Sequence, residues 1–171
     1  LAYEDFPLPI GYGQTISQPY IVAIMTELLS PSPQSKILEI GTGCGYQTAV
    51  LAEMAWEVYS LEILPFLAES ARKRLVSLGY TNVFCRLGNG WEGWPSEAPF
   101  EGILVSAAPE VLPSRLTEQL APGGRLVLPL GGFRQNLMVV YKDLQGNLEY
   151  QKIFGVRFVP MTGRKEAPGN S

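Results

Sequence analysis

The sequence predicts a three-layer α/β fold, in which a mostly parallel sheet carries helices on its faces and ends in antiparallel C-terminal strands. Three observations predict it. Short apolar runs alternate with helical patterns from residue 36 to residue 130, which is the signature of parallel strands joined by crossover helices. The first of these runs, Ile37-Leu38-Glu39-Ile40, stops at three glycines spaced two apart, Gly41, Gly43 and Gly45, and a helical pattern follows at once. Beyond Leu130 the pattern changes to two extended stretches around a short polar turn, which reads as a hairpin.

Residues 1–16 are rich in Pro and Gly with large apolar neighbours and read as an ordered loop, because such residues are costly to leave in water. A helix is expected over 18–29, with Ser17 as N-cap, Pro19 in the first turn, and Pro31 and Pro33 beyond its end. Strand 36–40, the glycine turn and helix 46–54 follow. Strand 57–62 leads to a helix over 65–78, opened by Pro65 and closed by Gly79. Leu64, Leu67, Leu75 and Leu78 recur near helical spacing, as a core-facing stripe does. Strand 82–87, the loop Gly88-Asn89-Gly90-Trp91, strand 102–106, helix 114–120 and strand 125–130 complete the alternation. The hairpin is expected from 137–142 and 148–154, with a further extended piece at 156–159.

A length of 171 residues fits one domain, 1–171, with a full core. No apolar run approaches the roughly 20 residues that span a bilayer. Net charge is −3 and the basic residues are scattered, with Arg72-Lys73-Arg74 the one tight cluster. That cluster reads as a solvated helix face, so neither nucleic acid nor membrane is expected as a partner. The two cysteines, Cys44 and Cys85, fit a reducing, cytoplasmic setting. The chain has no histidine, and Asp occurs only at Asp5 and Asp143. Histidine triads and dyads, histidine metal sites and Asp-rich Mg²⁺ sites are thereby excluded or disfavoured, and no metal is expected.

In such sheets ligands sit beyond the strand C-terminal ends. The residues 41–45, Glu62, Asn89 and 106–108 all fall there. The turn is G-x-G-x-G with Glu39 two residues before it, whereas dinucleotide sites favour G-x-G-x-x-G. A buried acid disfavours a pyrophosphate and suits the cationic amino-acid end of S-adenosylmethionine; a purely structural turn is the alternative. Glu62 is placed to accept the ribose hydroxyls, or is an exposed strand-end acid. Asn89 is placed to accept an adenine N–H, or belongs to a Gly-Asn-Gly turn. Trp91 and Trp94 read as core or pocket wall. With no histidine base, the natural methyl acceptor is a carboxylate, already ionised at neutral pH. Ser17 is a candidate to position it, or only a helix cap.

The chain resembles the protein-L-isoaspartate O-methyltransferase family from about residue 1 to residue 164. The residues that carry the likeness are Tyr3-Glu4-Asp5 with Pro7-Leu8-Pro9-Ile10-Gly11, and Gly13-Gln14-Thr15-Ile16-Ser17-Gln18-Pro19. Stretches 38–51, 98–100, 103–109 and 119–129 follow in family order, and then Val156-Arg157-Phe158-Val159-Pro160. The resemblance implies a Rossmann-like S-adenosylmethionine-dependent methyltransferase fold. It implies a repair enzyme that methylates the free α-carboxylate of L-isoaspartyl residues in damaged proteins and peptides. It implies Ser17 as the catalytic residue. It implies cofactor contacts at Gln14, Thr15, Ile16, Gly41, Thr42, Gly43, Glu62, Ile63, Asn89, Gly90 and Thr162, to which the reading of the glycine turn adds Glu39 and Gly45. Ile10, Ala107, Ala108, Val156, Arg157 and Phe158 would line the peptide cleft.

Three departures accompany it. An N-terminal helical segment usual in the family is not in this sequence. The usual Gly-Asp-Gly is Gly88-Asn89-Gly90, which predicts weaker cofactor binding and a gain on Asn89→Asp, an amide being a weaker acceptor than a carboxylate. Cys44 replaces a common serine as a small packing residue. Rival readings are a methyltransferase of a small molecule or another carboxylate, and a non-catalytic binding domain of the same fold. A monomer is expected.

Overall fold

The computed structural model describes residues 8–11, 14–16 and 18–165. The element order is β1 (Leu8–Gly11), β2 (Gln14–Ile16), α1 (Pro19–Leu29), β3 (Lys36–Ile40), α2 (Tyr46–Met54), β4 (Glu57–Glu62) and α3 (Pro65–Ser77). Then come β5 (Val83–Leu87), β6 (Phe100–Val105), α4 (Ser114–Glu118), β7 (Leu120–Leu130), β8 (Gln135–Lys142) and β9 (Leu148–Val156). Strands β1 and β2 form a small antiparallel pair where an ordered loop was expected. The main sheet has the order β5-β4-β3-β6-β7-β8-β9. It is parallel from β5 to β7 and antiparallel at β8 and β9.

Alternation along each strand builds two cores. Leu38 and Ile40 of β3 meet Leu61, Ile103, Val105, Leu126 and Leu128 on the face that also buries Leu116 of α4. Ile37 lies on the other face with Val58, Leu104, Val127, Met25 of α1 and Leu51 of α2. Because side chains alternate with period two, Glu39 necessarily falls on the α1–α2 face, and its side chain is fully buried there.

The element ends differ from the sequence reading for local reasons. Helix α1 begins at Pro19 with Gln18 at the cap position; Ser17, the expected cap, lies outside the described residues. Strand β7 starts at Leu120, five residues before the expected Arg125, because Leu120 pairs with Phe100 before the register shifts to Gly102 against Arg125. The extended piece at 156–159 is the end of β9 followed by a crossing segment. Its Val159 carbonyl accepts from the Ala108 N–H at 2.8 Å, and the Met161 N–H donates to the Ala108 carbonyl at 2.8 Å.

The chain leaves β3 toward β4 and returns at β6 on the other side of β3. The crevice at that reversal is where an open α/β sheet takes a ligand. No helix among the described residues is long and apolar enough to cross a membrane.

Candidate active site

The turn after β3 shows why glycine is needed there. Gly41, Gly43 and Gly45 have φ of 97°, 56° and 89°, the left-handed region that a Cβ disfavours. The Gly41 and Thr42 N–H groups donate to the Leu61 carbonyl at 2.8 and 3.2 Å, and Gly45 N–H donates to the Thr42 carbonyl at 2.9 Å. Gly43 N–H donates to Glu62 Oε2 at 2.8 Å, and Leu64 N–H donates to Glu62 Oε1 at 3.0 Å. The turn therefore holds a carboxylate of its own chain in a position where a phosphate-binding loop would hold its ligand. The N–H groups of Gly41, Thr42, Gly43 and Gly45 are spent inside the protein, and an incoming pyrophosphate would meet the Glu62 charge.

Glu39 lies beneath this turn. Its Oε2 accepts from Ser60 Oγ at 2.6 Å and from Thr48 Oγ1 at 2.5 Å. Ser60 Oγ is also 2.6 Å from Thr42 Oγ1. With the Ser60 proton given to Glu39, Thr42 donates to Ser60, so a hydroxyl relay ties the turn to the buried acid. Glu39 Oε1 has no hydrogen-bond partner. Burial, reinforced by the nearby Glu62 charge and opposed by the Ser60 and Thr48 hydrogen bonds, raises the Glu39 carboxyl from 4.5 to about 7.

A cavity of about 750 Å³ opens over the strand ends, within the range of small-molecule and cofactor sites. One wall is Ile40, Gly41, Thr42, Gly43, Glu62 and Ile63; the floor includes Gly88, Gly90, Ser106 and Ala107; the far wall is 154–162, with Val156, Arg157, Phe158 and Thr162. Among the described residues the lining carries two charged ones, Glu62 and Arg157, and no basic group from the Glu62 side.

Four of the expected site residues do not line this cavity. Glu39 is under the turn, for the register reason given above. Gly45 faces the α2–α3 side, where an added Cβ would meet Leu75 at 3.3 Å. Ala108 is buried, its backbone occupied by Val159 and Met161. Asn89 turns away: its Nδ2 donates to the Arg164 carbonyl at 2.9 Å and its Oδ1 accepts from Trp91 N–H at 3.2 Å. Gln14, Thr15 and Ile16 are placed as strand β2 and Ile10 in β1, while Ser17 lies outside the described residues. The sequence reading also missed lining residues: Tyr20, Tyr46, Phe154 and Met161. Aromatic and apolar residues at element ends carry no signal that separates them from core.

The far wall is held as a strap. Gln135 clamps it at one end, donating to the Phe158 carbonyl at 3.1 Å and accepting from Phe158 N–H at 2.7 Å. Ala108 holds the middle and Asn89 the other end.

The matching of this architecture to known proteins is direct. Residues 1–166 match the family model for protein-L-isoaspartate(D-aspartate) O-methyltransferase. The chain belongs to that family. It is 57% identical over 164 residues to protein-L-isoaspartate O-methyltransferase 2 of Syntrophobacter fumaroxidans, covering 95% of this chain and 66% of the relative. It is 56% identical over 163 residues to the protein-L-isoaspartate O-methyltransferase of a Picosynechococcus strain, covering 95% and 73%. A solved protein-L-isoaspartate O-methyltransferase superposes with TM-score 0.86 at 28% identity, over 95% of this chain and 54% of that one. A Plasmodium falciparum structure superposes with TM-score 0.80 at 25% identity, over 96% and 82%. It is described as a putative protein-L-isoaspartate O-methyltransferase in complex with S-adenosyl-L-homocysteine. The chain thus spans just under two thirds of the first of these relatives and about half of the first solved structure. Seven parallel and antiparallel strands in this order make it a Rossmann-like methyltransferase fold.

Proposed function

We propose that this chain transfers a methyl group from S-adenosylmethionine to the free α-carboxylate of L-isoaspartyl residues in damaged proteins and peptides. The observation that carries the reading is the Glu62–Gly43 contact. A turn that already holds a carboxylate suits a cationic nucleoside cofactor and disfavours a phosphorylated one. Family membership and a relative in complex with S-adenosyl-L-homocysteine support the same choice.

S-adenosylmethionine supplies, when bound, a sulfonium methyl that a carboxylate oxygen can take in line, the S–C bond pair leaving on sulfur as S-adenosylhomocysteine with no proton transfer. Glu62 keeps unused lone pairs beside its two backbone donors and would accept the ribose hydroxyls, with Gly41, Thr42, Gly43, Ile63, Gly90 and Thr162 around the nucleoside. Glu39 would act at one remove, fixing the turn through Ser60 and Thr42. Ala107, Val156, Arg157 and Phe158 would face the peptide, and Ser17, with Ile10 and Gln14 to Ile16 before it in the chain, would position the acceptor. A carboxylate is ionised at neutral pH, so a cavity wall without histidine is no handicap; orientation alone can contribute roughly 7–11 kcal/mol. Free thiols at Cys44 and Cys85 support a cytoplasmic setting, and a monomer is proposed.

The test is labelled S-adenosylmethionine with an isoaspartyl peptide and its aspartyl twin. Base-labile label on the isoaspartyl peptide alone is the expected result. Cofactor binding without transfer to either peptide would overturn the reading in favour of another acceptor or a binding domain.

A further inference from the structure

The last rung of the β8–β9 ladder pairs Gln135 with Val156. The next residue outward on each chain is an arginine, Arg134 and Arg157, and both are exposed. Two like charges at the open end of an antiparallel ladder repel. Among the described residues neither guanidinium has an acidic partner. Glu110 lies beside Gly132, and its carboxylate is 3.7 Å from Lys165 Nζ. The Gln135 clamp on Phe158 fixes the chain on either side of this pair. Phe133, next to Arg134, is 97% exposed. Arg157 also lines the cavity, which puts this end of the ladder at the cavity wall. The whole chain, by contrast, is net negative at −3, so two positive charges at one end of the ladder run against the overall balance.

We propose that Phe133, Arg134 and Arg157 form a docking surface for the acidic flank of the isoaspartyl polypeptide, so that the enzyme prefers damaged sites next to Asp or Glu. This rests on the methyltransferase reading above. The pair adds nothing to the chemistry of the methyl transfer; it selects among substrates through unpaired charge at the mouth of the cavity. Because the contacts are exposed, the preference is screened by salt.

The experiment uses isoaspartyl decapeptides that are identical except for Glu, Ala or Lys at each of the four positions on either side of the damaged residue. Initial rates are read at low and at 0.5 M ionic strength (about a threefold change in Debye length from 0.05 M). The expected result is a Glu-over-Lys ratio in kcat/KM of about three- to tenfold at low salt, shrinking at high salt, on one side of the isoaspartyl residue. The double variant Arg134→Glu with Arg157→Glu inverts that ratio. Equal rates for Glu and Lys peptides with the unaltered enzyme overturn the docking surface while leaving the methyltransferase reading intact. No transfer to any isoaspartyl peptide overturns both. An unaltered ratio in the double variant, with cofactor affinity retained, assigns the preference elsewhere and also overturns it.

Discussion

The side chain of Asn89 donates a hydrogen bond to the carbonyl of Arg164 across 2.9 Å, joining the loop after β5 to the far end of the strap over the cavity. Gly163 packs so closely on Asn89 that an added Cβ would collide with Asn89 Oδ1. This contact reverses the consequence expected from sequence. An aspartate at position 89 would set a carboxylate oxygen against the Arg164 carbonyl oxygen. Asn89→Asp should therefore release the strap, lower stability by about 0.5–1.5 kcal/mol, and weaken cofactor binding instead of strengthening it. Denaturant titration and calorimetry of cofactor binding check both effects.

Glu62→Gln tests the turn. The amide has one acceptor oxygen, so either Gly43 N–H or Leu64 N–H would face an NH₂ group. Loss of one charge-assisted bond of roughly 1.5–3 kcal/mol should lower S-adenosylmethionine affinity by about 10- to 100-fold. Isothermal titration reads it, and unchanged affinity would separate Glu62 from the cofactor.

Glu39 makes stability depend on pH. Its folded carboxyl is raised from 4.5 to about 7 by burial, so the folded state holds the proton more tightly than the unfolded chain. The sign follows from linkage: this contribution is fully present below about pH 4.5 and is lost as pH rises through about 7. The shift corresponds to roughly 3 kcal/mol at most. Glu39→Gln should flatten the stability profile between those pH values, measured by denaturant unfolding across the range. A profile identical to that of the unaltered chain would count against the buried proton.

Ser17→Ala is expected to lower turnover more than cofactor affinity, because Ser17 is proposed to position the acceptor carboxylate. Steady-state kinetics with an isoaspartyl peptide, beside a binding titration, separate the two. Unchanged turnover would leave Ser17 as a residue of the chain leading into α1 and nothing more.

Much of the site's neighbourhood was legible before the structure. The glycine spacing placed the turn because left-handed backbone at alternate residues admits little else. Glu62 was legible as a strand-end acid beside that turn, but its burial and its hold on the Gly43 and Leu64 N–H groups were not. Asn89 was not, because a side chain amide reads the same in sequence whether it faces a ligand or a carbonyl 75 residues away. Arg157 was marked only by family likeness; its place one residue beyond the Gln135–Val156 rung, as Arg134 is on the other chain, depends on the register of β8 on β9.

The sequence by itself determined the α/β order, the glycine turn, and a chemistry without histidine, since these depend on local periodicity and residue type. Tertiary structure alone decided what each polar group does. Strand alternation put Glu39 beneath the turn, the turn took the Glu62 carboxylate into its own N–H groups, and the strap recruited Gln135, Ala108 and Asn89 from three separate elements. Hydrogen-bond partners far apart in the chain are set by packing and register, and no pattern along the sequence encodes them.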